Sequence, residues 1–180
     1  MNDDDTYDPG FRDGSFYSRG YLPHIDANRM QTVTIRLADS IPTDVFARMR
    51  SQAADDDQIR LLQERYLGRG HGRCILERRR AAEIVRDCIL WGDDRRYRLG
   101  DWVVMPNHSH VSYDRPDYKP TRIAGDIKSV SAHRICKHYD DVESPVWQPG
   151  TYDRYVRDEV HAFNARCYIW LNPVRAGLVD

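Results

Sequence analysis

Two short phrases place side chains that could do chemistry together. Met105-Pro106-Asn107-His108-Ser109-His110 sets two imidazoles one residue apart, directly after the apolar run Trp102-Val103-Val104-Met105. Residues two apart on a strand face the same side, so His108 and His110 project together and can share a divalent ion. Farther along, Tyr168-Ile169-Trp170-Leu171-Asn172-Pro173 sets a phenol and an amide at i and i+4 of a helix, within reach of one small volume. A phenol with its pKa near ~10 is a poor nucleophile until it is deprotonated or polarised. A hard divalent ion beside a phosphate can neutralise a non-bridging oxygen and orient the group for in-line attack. The Asn172 amide oxygen would suit Mg²⁺ or Mn²⁺ as a third protein ligand. Attack by a tyrosine on phosphate leaves a covalent phosphotyrosine, which retains the bond energy for rejoining.

Each phrase alone also has an ordinary reading: histidines alternating along a surface strand, and a tyrosine that only packs and finds one hydrogen bond. At 100° per residue, Val160, Phe163, Cys167, Trp170 and Leu171 form the expected core face of the last helix. His161, Asn164, Tyr168 and Asn172 form a separate polar stripe, which sets Tyr168 off the apolar face.

The elements that must position these groups follow from periodicity. Gln31 to Leu37 alternates apolar and polar residues as a half-buried strand does. A helix is expected from about Asp44 to Tyr66, ended by Gly68 and Gly70. A second is expected from about Leu76 to Trp91, its apolar face Ala81, Ile84, Val85, Cys88 and Ile89. Tyr97 to Met105 reads as a strand whose apolar end suits a central position, and His108 to Tyr113 as the next strand. A basic helix from about Thr121 to His138, a short strand from Tyr152 to Val156 and a helix from about Asp158 to Asn172 complete the order. An antiparallel sheet with helices packed on it, in the α+β class, satisfies that order.

A chain of 180 residues suggests one compact domain, here residues 25–180 behind an irregular arm over 1–24 that is rich in Asp, Gly, Ser and Tyr. No apolar run approaches the ~20 residues that span a membrane. The N-terminus lacks a basic segment followed by an apolar stretch, so the expected location is the cytoplasm. The four cysteines are widely spaced and read as thiols rather than disulfides or a zinc framework, with His133, Cys136 and His138 a weak local cluster. Net charge is −1, yet basic residues gather at Arg78-Arg79-Arg80, at Arg95, Arg96 and Arg98, and between Lys119 and Lys137. A local basic face is compatible with phosphate binding. For the Arg78 cluster a solvated surface is the simpler reading.

In combination the motifs are specific. Pro106-Asn107-His108-x-His110, Trp147-Gln148, Arg157-Asp158-Glu159 and Tyr168-x-x-x-Asn172-Pro173-Val174-Arg175-Ala176-Gly177 follow Arg19-Gly20-Tyr21-Leu22-Pro23-His24 and Val33-Thr34-Ile35-Arg36-Leu37. The series resembles the REP-associated tyrosine transposases, a branch of the single-tyrosine HUH transposases related to bacterial insertion-sequence transposases. The resemblance spans residues 19–180. It implies a ferredoxin-like sheet with the two histidines on a central strand and the tyrosine on a C-terminal helix facing them. It implies a metal-dependent nickase and strand-transferase acting on single-stranded DNA with palindromic, REP-type hairpins. His108 and His110 match the metal-binding histidines, Tyr168 the nucleophile that becomes linked to the DNA 5′-phosphate, and Asn172 the polar residue that completes the metal site. Mg²⁺ or Mn²⁺ is the expected cofactor, and the working state is a monomer or a homodimer. Ser109 stands where the pattern usually has a hydrophobic residue, with its side chain expected on the opposite sheet face. From charge and position, Arg122, Lys128, Arg154 and Arg157 are candidates for phosphate contacts. Two other readings are a hairpin-binding protein that no longer cuts and a metal-dependent nuclease that uses water.

Overall fold

The computed structural model describes residues 17–18, 23–24, 30–116, 118–156 and 158–180. The arm expected over residues 1–24 lies mostly outside them; within it, Tyr17–Ser18 (β1) pairs antiparallel with Pro23–His24 (β2). The main sheet is built from Gln31–Arg36 (β3), Arg98–Val104 (β4), His108–Asp114 (β5) and Tyr152–Tyr155 (β6), in the order β4-β5-β3-β6 with every neighbouring pair antiparallel. Strands β3 and β4 flank β5 and run parallel to each other, joined by a helical crossover. This is the split βαβ of a ferredoxin-like sheet. Helices Thr43–Gln52 (α1), Asp56–Leu67 (α2) and Arg79–Gly92 (α3) lie in that crossover, Pro120–His138 (α4) joins β5 to β6, and Glu159–Arg175 (α5) closes the chain.

One sheet face carries the core. Val33 and Ile35 of β3 and Val111 and Tyr113 of β5 meet Ala81, Ile84, Val85 and Ile89 of α3 and Ile123 and Ile127 of α4, all buried. The expected apolar stripe of α3 is therefore the packed one. Trp147 closes this core, bridging to Leu37 and donating its indole N–H to Ser131 Oγ at 3.0 Å. Period-two geometry sends Thr32, Thr34 and Arg36, with His108, His110 and Ser112, to the other face.

Three expectations change. The single helix expected over residues 44–66 is two, because Asp55 caps a new start: its Oδ1 accepts from Gln58 N at 2.8 Å while Gln58 Oε1 accepts from Ala54 N at 3.0 Å. That reciprocal pair is a variant of the capping box and was legible as Asp55-x-x-Gln58. The run Trp102–Val104 belongs to an edge strand, not a central one. It is apolar on both faces because Trp102 and Val104 pack on the α3/α4 core while Val103 shares the histidine face, in register with His110.

The largest correction concerns α5. Of the side chains expected to form its core face, Val160 is 71%, Phe163 67% and Trp170 61% open and Leu171 is also exposed, while Cys167 is half-buried. Ile169 and Asn172 are its buried residues. The helix is held by a polar clamp instead: a bulge between Leu99 and Trp102 re-aims Asp101, whose carboxylate accepts from Arg166 Nε at 2.8 Å and Trp170 Nε1 at 2.7 Å. Its end is shaped by the Pro173–Gly177 phrase. Gly177 takes φ +67, and Gly177 N and Leu178 N bond back to Val174 O and Pro173 O, a left-handed terminus that favours glycine.

This orientation has a direct thermodynamic signature. Ile169→Ala is expected to cost about 2–4 kcal/mol, whereas Phe163→Ala stays within about 0.5 kcal/mol. Urea unfolding of the two variants checks the order, and the reverse order contradicts the inward placement of Ile169.

Candidate functional site

The two imidazoles sit on β5 in the middle of the sheet, His108 opposite Arg36 and His110 opposite Thr34 of β3. Their ring centroids are 4.7 Å apart, and both residues are buried. Ser109, between them, faces the opposite side and gives its hydroxyl proton to Val103 O at 2.8 Å, so the polar residue there is satisfied.

Each ring has one nitrogen engaged from behind. Asn107 is fully buried and its amide is fixed: Nδ2 donates to His71 O at 2.9 Å and Leu67 O at 3.2 Å. Its Oδ1, 2.7 Å from His108 Nδ1, can only accept, so His108 carries its proton on Nδ1 and keeps the Nε2 lone pair free. Thr34 Oγ1 lies 2.8 Å from His110 Nδ1 and can accept in the same way. His110 Nε2 is then buried without a partner. An orphaned buried nitrogen beside a second imidazole fits a metal ligand held by an outer hydrogen bond. Burial pushes His110 down to about 4, and burial followed by the His110 neighbour holds His108 well below its ordinary value. Both are neutral at pH 7, the form that ligates.

Helix α5 brings the other half. The Tyr168 ring stands edge-on to His110 at 5.2 Å, and Asn172, one turn on, is buried and hydrogen-bonded to the phenol. Burial first, then the Glu64 carboxylate, push Tyr168 up to about 12; the Asn172 bond, Arg175 and Arg60 act the other way. An amide N–H that donates to the phenolic oxygen favours the phenolate, and in that orientation Asn172 Oδ1 would be left for a cation. Arg175 lies over the Tyr168 ring at 5.6 Å, and Arg60 and Glu64 of α2 pair at 2.9 Å. His108, His110, Tyr168 and Asn172 are thus together, and the first two with the Asn172 oxygen could hold a divalent ion. Among the described residues no group of three His, Cys, Asp or Glu side chains is placed for a metal.

The proposed phosphate contacts fare differently. Lys128 Nζ donates to Gln148 O at 2.5 Å and Gly150 O at 2.6 Å, tying α4 to the following loop. Arg122 pairs with Asp126 at 3.1 Å. Both belong to α4, which packs on the sheet face opposite the histidines, so the structure does not bring them to the site. Arg157 lies outside the described residues, as does the side chain of Arg154. The Arg78 cluster is a surface of ion pairs, with Asp141 and Glu83 as partners. The four cysteines are free thiols. Sequence reasoning missed Thr34, Asn107, Glu64, Arg60 and Arg175. Arg175 was legible, because i+7 returns to the Tyr168 face. Thr34 and Glu64 depend on register and tertiary placement.

Two measurements follow from this geometry. Replacing the outer partner, Asn107→Ala, is expected to weaken divalent-metal binding about 10–100-fold, read by calorimetric titration. In metal-free protein the unfolded state takes up protons at the ordinary histidine pKa while folded His110 does not until about 4. Unfolding free energy therefore falls as pH drops from about 6.5 toward 4, by about 3 kcal/mol for this one group. His110→Gln should make that slope shallower and leave the part that His108 contributes; a wild-type stability level across the window contradicts the buried neutral rings.

No curated protein matches the sequence. Among solved structures, the chain is similar to a REP-associated tyrosine transposase bound to a REP hairpin, with a TM-score of 0.57 at 20% identity over 92% of this chain and 76% of that one. At that identity the likeness establishes the shared fold. The profile described as "Transposase IS200 like" matches residues 75–168, just over half of the chain, running from the start of the α3 region through both histidines to Tyr168. The chain belongs to the IS200-like transposase family.

Proposed function

We propose that the protein nicks and rejoins single-stranded DNA at hairpin-forming palindromes through a covalent bond to Tyr168. The observation that carries this reading is the convergence of the orphaned His110 Nε2 with the Tyr168 ring, 5.2 Å between centroids, beside the buried Asn172 amide. The hairpin as substrate is supported by family membership and by the REP hairpin bound in the structural relative.

His108, His110 and Asn172 would hold Mg²⁺ or Mn²⁺, which supplies charge neutralisation on a non-bridging phosphate oxygen. The chain's own residues do the rest. At neutral pH Tyr168 is protonated, since burial raises it to about 12. Asn172 fixes the phenolic oxygen and, with Arg175 and Arg60, favours its ionised form. Attack forms the bond from Tyr168 Oη to phosphorus and breaks the bond from phosphorus to the 3′-oxygen. The phenolic proton is released and the departing 3′-oxygen is protonated. The product is a 5′-phosphotyrosine, and a 3′-hydroxyl attacking it reverses the step with no nucleotide cofactor.

The test is a denaturing gel of protein incubated with single-stranded hairpin DNA and Mn²⁺ or Mg²⁺. A covalent protein–DNA adduct is expected, reduced to background by Tyr168→Phe and by chelation of the metal. Cutting that persists in Tyr168→Phe identifies a water-using nuclease, and binding without cutting identifies a hairpin-binding protein; either result overturns the proposal.

A further inference from the structure

Arg36 is the last residue of β3, in register with His108 and on the same face of the sheet as both imidazoles. Several other arginines of the fold pair with carboxylates, as Arg60 does with Glu64, Arg98 with Asp114 and Arg166 with Asp101. Arg36 does not: its NH1 is buried with no hydrogen-bond partner. Its contact is the Phe46 ring of α1, 5.8 Å from the guanidinium carbon. An aromatic face attracts the cation but accepts no N–H bond along the guanidinium plane. Arg36 is half-buried, and a buried N–H of a guanidinium with no acceptor is costly unless an acceptor completes it.

The neighbourhood defines the anion. The imidazoles of His108 and His110, opposite the end of β3, carry no negative charge to answer the guanidinium. The planar fork of an arginine matches two oxygens of a phosphate, and a strand laid across the histidines toward Tyr168 would pass over the end of β3. We propose that Arg36 is a substrate-binding residue that grips one backbone phosphate of the DNA strand as it lies against His108. This rests on the single-strand DNA reading, and it assigns the phosphate contact to a residue at the histidines rather than to the basic helix α4.

Binding is measured in chelating buffer, where no cutting occurs, by the anisotropy of a labelled single-stranded hairpin oligonucleotide across a salt series. Arg36→Met removes the charge and the unmet donor while keeping the length of the side chain. It should weaken binding about 10-fold or more near 0.1 M salt, and make the plot of log affinity against log salt shallower by about 0.7, the value of one phosphate contact on a single strand. Its thermal midpoint should equal or exceed that of the wild type, which separates a lost contact from a damaged fold. If Arg36→Met fails to fold, Arg36→Gln carries the same comparison. A single neutral methylphosphonate linkage should cost the wild type affinity and cost Arg36→Met nothing at the gripped position. Unchanged affinity and slope in the neutral variant overturn the Arg36 assignment and leave the nickase reading intact. A wild type that binds but forms no adduct with metal, yet loses affinity on the Arg36 change, overturns the nickase reading and upholds the assignment. A wild type that binds no single-stranded DNA overturns both.

Discussion

The arrangement depends on one buried amide. Asn107 holds two main-chain carbonyls, of Leu67 and His71, with its Nδ2 and presents Oδ1 to His108. The same turn is fastened on every side: Leu37 N bonds to Asn107 O, Leu76 N to Pro106 O, and Met105 N to His108 O. The end of β3, the loop after α2, the short helical turn at Ile75–Glu77 and the start of β5 are therefore one knot. An amide whose donors are both spent on carbonyls has no freedom to flip, and that rigidity decides which nitrogen of His108 carries the proton. Local backbone geometry thus becomes ligand chemistry through one side chain.

The second constraint is that a polar site must be buried beneath a helix. Helix α5 turns Tyr168 and Asn172 toward the sheet, and so its broad apolar stripe points away. Hydrophobic burial alone favours the other orientation. Ile169 supplies an apolar foot, and the Asp101 carboxylate holds Arg166 and Trp170, so the helix is positioned by hydrogen bonds as much as by packing. A rotation of this helix by half a turn would satisfy its hydrophobic residues and dismantle the site. Function here runs against the simplest amphipathic rule, in the way that local conflicts mark functional regions.

Much of the fold was legible for ordinary reasons. Strands β3 and β5 announced themselves by alternation, α3 by its apolar stripe, and the facing of His108 and His110 by the period of a strand. The break between α1 and α2 is also written in the sequence, in the Asp55 cap. What could not be read was pairing: that Thr34 stands opposite His110 and Arg36 opposite His108 follows from register, which residue types on one strand do not specify. The facing of Tyr168 came from resemblance, and helical periodicity pointed the wrong way for its neighbours. Charge was the weakest guide. The Arg78 cluster and Arg122 are matched by acids, and Lys128 by carbonyls, while Arg36, with its unmet buried NH1, looked like any alternating strand residue.

His108 is held neutral with its proton on Nδ1 by the Asn107 amide, which leaves Nε2 bare beside His110. Long-range proton–nitrogen correlation spectra of the imidazoles in metal-free protein at pH 7 test this most directly. A protonated Nδ1 and a bare Nε2 are expected for His108, with the bare signal displaced on adding Zn²⁺ as a diamagnetic probe. A His108 ring that carries its proton on Nε2, or that is doubly protonated at pH 7, contradicts this.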